Sequence, residues 1–151
     1  AAANLPNDAA FSRIGIYPTA HALILVDAAS KLSGVPVAAL CEEFGAYLFE
    51  RFNILYPEIM SSYSTAESLL EHVRGHIHED VKVLYPDAVP PEVTAKTQDG
   101  VCVVEYRSHR PLAHIACGLI RGCLEHFGDE RKIEWMNCSE SGDAATFRIA
   151  A

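Results

Sequence analysis

Residues 92–111 read EVTAKTQDGVCVVEYRSHRP, and this run sets the architecture of the second half of the chain. Asp99-Gly100 is a strong two-residue hairpin signal, because both positions tolerate a positive φ. It predicts paired strands over 92–97 and 101–109. Pro111 restarts the chain as a helix that carries Leu112, Ile115, Ala116, Leu119, Ile120, Cys123, Leu124 and Phe127 on one face, and Gly128 caps it. Residues 131–137 and 144–150 form a second hairpin around Ser141-Gly142-Asp143.

Upstream of this block the apolar period changes from two to that of a helix. Ser64 and Glu67 make a capping box, S-T-A-E, that opens a long helix reaching about Leu84, with Leu70, Val73, Ile77, Val81 and Leu84 as its apolar stripe. Before it, Leu40, Phe44, Tyr47, Leu48, Arg51 and Leu55 mark a helix begun at Pro36 and ended by Pro57. Residues 19–32 form another helix, stopped by Gly34. Pro6, Asn7, Gly15 and Pro18 keep the first 18 residues a loop. Helices first, then strands with one helix among them, indicate an α+β fold in a single domain over residues 1–151.

Composition narrows the function. Twelve Lys and Arg against 20 Asp and Glu give a net charge of −8, with no basic stripe to neutralise phosphates, which argues against nucleic acid. The apolar runs are short and broken by charge, so no membrane span is expected. Five scattered cysteines, an odd number, fit reduced thiols and a cytoplasmic location better than a disulfide framework. There is no nucleophile–base pair at a recognisable spacing, no phosphate loop and no H-E-x-x-H, so the chain does not read as an enzyme.

Two groups of residues carry chemistry. On a strand, Tyr106, Ser108 and Arg110 project to one side, and two hydroxyls with a guanidinium can grip a carboxylate pair or a phosphate. The same row could equally be a solvated strand face. On the long helix, His72, His76 and His78 offer imidazole, the commonest metal ligand. His72 and His76 lie four apart, a spacing that can chelate zinc. His78 borders the apolar stripe, where a partly buried structural histidine is equally natural. Periodicity does not choose among the three.

A resemblance does. His78 through Tyr85-Pro86, followed by Pro90-Pro91, resembles the proximal helix and loop of H-NOX domains, the haem domains related to the sensor region of soluble guanylate cyclase. Tyr106-Arg-Ser108-His-Arg110 is similar to the Y-x-S-x-R signature of that family. Ile14-Gly15-Ile16-Tyr17-Pro18 and Phe44-Gly45-Ala46-Tyr47-Leu48-Phe49 also resemble family segments, in order. The resemblance implies haem b (iron protoporphyrin IX) with His78 as iron ligand and Tyr106, Ser108 and Arg110 on the propionates. It implies that Pro91 presses on the haem and that Ile115 and Leu119 line the pocket. Oxygen-binding members carry tyrosine at the position of Ile115. Isoleucine offers no donor, so nitric oxide and carbon monoxide are the implied ligands. Nitric oxide would weaken the bond to His78, release its helix and signal to a histidine kinase or a cyclic-dinucleotide enzyme. Family members usually carry about 30 further N-terminal residues that close the distal side, and the chain is expected to lack these helices. Other readings are a haem-free regulatory domain of the same fold and a thiol or zinc redox sensor. For the latter, Cys123, His126 and Cys138 are the candidate ligands, although Cys123 also suits a buried apolar face and Cys117 points roughly 240° away from it on an ideal helix.

Overall fold

The computed structural model describes residues 5, 10–12, 15–84 and 86–151. Pro6, Asn7, Ile14 and Tyr85 lie outside the described residues, as do the side chains of Val81 and Leu84. Gly34, at φ 74°, ends α1 (Thr19–Ser33) in the left-handed conformation and donates its N–H to Ser30. Pro36 then precedes α2 (Val37–Leu55). Pro57 does not simply stop the chain. It opens a further single-turn helix, α3 (Pro57–Met60), after a break at Tyr56.

The next helix corrects two expectations. Its N-cap is Thr65, whose hydroxyl accepts from the Ser68 N–H at 3.1 Å, while the Ser68 hydroxyl accepts from the Thr65 N–H at 3.3 Å. The Ser64–Glu67 box is not formed, because the Glu67 carboxylate is engaged by Arg131 instead. The helix is also not continuous. α4 (Ala66–His72) passes into a π turn over Val73–Ile77, and α5 (His78–Leu84) follows. The His78 N–H reaches back five residues to the Val73 carbonyl.

The strands are β1 (Glu92–Gln98), β2 (Val101–Arg107), β3 (Lys132–Cys138) and β4 (Ala144–Ala150), all neighbours antiparallel in the order β1-β2-β4-β3. β2 is two residues shorter than the alternation suggested, since the Ser108 N–H is taken by the Asp143 carbonyl at 2.8 Å. Cys102, Val104 and Tyr106 of β2 and Ala145, Phe147 and Ile149 of β4 bury one face of the sheet. α6 (Ala113–His126) covers that face with Ala113, Cys117, Ile120, Cys123 and Leu124. It ends in a Schellman motif: Gly128 donates to Glu125, and Asp129 to Leu124 at 2.9 Å.

α2 crosses α6 at glycines. A Cβ on Gly45 would strike the Ile115 carbonyl, and one on Gly118 the Glu42 carbonyl. One on Gly122 would meet the Phe49 Cβ at 2.8 Å. Among the described residues no single helix is long and apolar enough to cross a membrane. α1 and α2 are so only as a pair, bent by 114° at their break.

Candidate functional site

His78 opens α5, directly after the π turn. It is half-buried, and its Nδ1 is shielded from solvent with no hydrogen-bond partner among the described residues. Burial lowers its pKa, and the Pro91 carbonyl beside the ring acts the other way. The Pro91 carbonyl can take one ring N–H, which leaves the other ring nitrogen able to meet a partner outside the chain.

Sheet register locates this ring. Glu92 pairs with Arg107 and Val93 with Tyr106, so Pro91 stands one residue beyond the end of that ladder, level with Ser108. His78, beside Pro91, therefore lies at the same end of the sheet as Tyr106, Ser108 and Arg110.

Those three residues meet at one corner, although only Tyr106 is on the strand. Tyr106 is buried on the core side of β2, and burial raises its pKa. The Ser108 hydroxyl hydrogen-bonds it and the Arg110 charge stabilises its anion, both opposing that rise. The Ser108 Oγ accepts from the Arg110 N–H at 3.1 Å, fixing the turn. The Arg110 side chain is exposed and has no carboxylate partner among the described residues. The corner can therefore present a guanidinium and two hydroxyls to an anionic group.

The corner rests on the β3–β4 turn, which sequence reading passed over as a support. Asp143 accepts from the Ser139 hydroxyl at 2.6 Å and from the Ser141 hydroxyl at 2.7 Å. Its backbone carbonyl holds Ser108, while the Gly142 carbonyl accepts from Ala113 at 3.0 Å, the first residue of α6. Asp and Ser clustered around Gly142 were the available signal. His21 on α1 was also passed over; its Nδ1 is likewise buried and unpaired among the described residues.

Ile115 and Leu119 part company. Leu119 packs against the core cluster, whereas Ile115 is half-buried and stands outside it. The groove of about 480 Å³ between α2 and α6 is lined by residues such as Glu43, Tyr47, Phe49, Glu50 and His126, and none of the four candidate residues borders it.

Cys123, His126 and Cys138 do not assemble. Cys123 is buried, its S–H 3.9 Å from the Ala66 carbonyl, and burial pushes its thiol up to about 12. His126 is exposed and packs on Phe127, with ring centres 4.8 Å apart. Cys138 is exposed and turns to its neighbour Ser139. No group of three His, Cys, Asp or Glu able to hold a metal occurs among the described residues.

The fold agrees with that of known proteins to which the chain is similar. The chain matches the Haem-NO-binding family over residues 1–135. It is 31% identical to the H-NOX of Shewanella woodyi, solved bound to IWP-051 in the Fe(II)CO state, with a TM-score of 0.80, covering 99% of this chain and 80% of that one. The Fe(II) unliganded H-NOX protein of K. algicida is 25% identical with a TM-score of 0.88, over 97% of this chain and 80% of that one. The S. oneidensis H-NOX protein in the Fe(II)NO state shares the fold at a TM-score of 0.86 and 22% identity, over 95% and 81%. No match is found among curated proteins. The mixed helix-and-sheet fold and the family match together define the class, that of haem-binding sensor domains. The chain belongs to the Haem-NO-binding, or H-NOX, family of gas-sensor domains.

Proposed function

We propose that this domain senses nitric oxide through a haem b held by His78 on the iron and by Tyr106, Ser108 and Arg110 on the propionates. The observation that carries the reading is the His78 ring, with one nitrogen buried and unpaired, at the sheet end where the Tyr106–Ser108–Arg110 corner lies. Haem iron supplies the open coordination position at which a diatomic gas binds.

The chain's own residues do the rest. Burial keeps the His78 imidazole neutral, the form that ligates a metal. Arg110 supplies charge-assisted hydrogen bonds at the acid edge. Ile115 offers no hydrogen-bond donor to a bound gas, which favours nitric oxide and carbon monoxide over dioxygen. A relative 31% identical to this chain was solved in the Fe(II)CO state, with one of these two gases. Loss of the hold on His78 would free α5 at the π turn, the least regular part of its helix. That shift is the signal, read by a histidine kinase or a cyclic-dinucleotide enzyme.

A visible absorption spectrum tests the reading. The reduced, haem-loaded chain is expected to show a Soret band that shifts on adding nitric oxide. His78→Ala should abolish the imidazole-ligated spectrum, and His72→Ala and His76→Ala should keep it. A chain that takes up no haemin, or equal loss in all three variants, would overturn the assignment.

A further inference from the structure

His72 and His76 stand apart from the site above, and their arrangement does not depend on the haem reading. The π turn begins one residue after His72 and contains His76, and the two rings, four residues apart, lie against each other about one turn apart. The ring centres are 5.3 Å apart with planes at 51°. Two imidazoles sharing one ion through bonds of about 2.0–2.1 Å at a tetrahedral angle have centres roughly 5 Å apart. Both side chains are exposed, so an ion reaches them from solvent.

The second nitrogen of each ring is occupied. His72 Nδ1 lies 2.7 Å from the Ser68 carbonyl, and a carbonyl only accepts, so Nδ1 is the donor and Nε2 keeps its lone pair. His76 Nδ1 lies 3.5 Å from the Tyr63 hydroxyl oxygen, which can accept from it and leave Nε2 free in the same way. An imidazole whose far nitrogen is tied to a carbonyl or hydroxyl is oriented for metal binding, and that tie raises its basicity. Tyr63 also packs against His72, with ring centres 5.8 Å apart, which limits the rotamers of the pair.

We propose that His72 and His76 chelate a zinc-class divalent ion through their Nε2 atoms, with water completing the coordination sphere. No third His, Cys, Asp or Glu joins them among the described residues, so two imidazoles and water define a weak, exchangeable site. An ion there ties the end of α4 to the π turn that leads into His78.

The test is calorimetric titration of the full chain with ZnCl₂ near pH 7.5, in a Cys138→Ser background that removes the exposed thiol. One ion per chain is expected. The affinity should fall at least about tenfold in His72→Ala and in His76→Ala and stay unchanged in His126→Ala. His72→Gln and His76→Gln serve where an alanine variant fails to fold, and the side-chain ¹⁵N resonances of both histidines should move together on adding zinc. Undiminished binding in the His72 and His76 variants, an equal loss in His126→Ala, or no uptake of zinc at all would overturn the site.

Discussion

Two glycines, Gly118 and Gly75, sit in different helical segments and mean opposite things. At Gly118 there is no room: the α2 backbone fills the place of a side chain, and Gly45 and Gly122 repeat that closeness along the same crossing. At Gly75, in the π turn, a Cβ would meet nothing within 4 Å. The first region is a frame, locked backbone to backbone and continued into the buried faces of β2 and β4. The second is a strip of helix with an irregular hydrogen-bond pattern and exposed residues on both sides of Gly75. A sensor needs both: a frame that holds the Tyr106–Ser108–Arg110 corner still and a segment that changes packing at low cost.

The sharpest break of this comparison is Gly118→Ala. The new methyl has to displace the Glu42 carbonyl, a backbone atom that no rotamer change relieves. Overpacking of this kind costs about 3 kcal/mol, a fall in Tm of roughly 6–12 °C for a chain of this size. Thermal unfolding checks it. A Tm within a degree of the parent would mean that the crossing is loose and the frame lies elsewhere.

The two regions were unequally legible in sequence. The frame's elements were plain, because Asp99-Gly100, Gly34 and Gly128 all stand at positive φ, where local chemistry is strong. The order β1-β2-β4-β3 was not, since nothing local says which hairpin edge joins which. The glycine crossing was invisible for the same reason: Gly118 and Gly122 have meaning only against Gly45 and Phe49 of a helix about 70 residues away. On the lever side, apolar periodicity carried a continuous helix across residues 73–77, and Gly75 was the one hint against it. Within the site, His78 and the Tyr106–Ser108–Arg110 row were reached through family resemblance, because three histidines on one helix look alike by spacing. Asp143 escaped because it acts on Ser108 through its backbone carbonyl, which side-chain chemistry does not reveal.

A joint links the regions, and pH probes it. Arg131 donates to Asp129 through Nε at 3.0 Å, to the Gly100 carbonyl through Nη1 at 3.1 Å, and to Glu67 at the start of α4. Hydrogen bonds from Arg131 hold the Asp129 carboxyl below its usual value, against a smaller opposing effect of burial. A depressed carboxylate pKa means that the unfolded chain binds more protons in acid. The stabilisation is thus complete above the unfolded value, about 3.9, and is lost as pH falls through the folded one. Asp129→Asn should cost about 1.5–3 kcal/mol at pH 7, the worth of hydrogen bonds to a charged group. The gap to the parent should begin to narrow below about pH 4 and close only below the depressed folded value, as read by denaturant unfolding at several pH values. A gap independent of pH would make the joint a matter of shape and not of charge.

The smallest effect is the most telling about the lever. In an open helical position alanine is favoured over glycine by roughly 0.5–1 kcal/mol, mostly because glycine loses more freedom on folding. Gly75→Ala has space for its methyl, so a slight gain in stability is expected, opposite in sign to Gly118→Ala. A π turn amounts to one residue more than an α-helical turn holds, so pulling it into α-helix would turn everything beyond it by about 100°. His78 is the first residue beyond it. Stability that rises while the haem spectrum keeps its His78 ligation would show a π turn that tolerates alanine and a lever that stays in register. Stability that rises while His78 ligation is lost would show that Gly75 keeps the turn open at the expense of the helix, so that the irregularity itself aims the imidazole. A fall in stability comparable to that at Gly118 would erase the distinction between frame and lever, since both glycines would then be needed for packing.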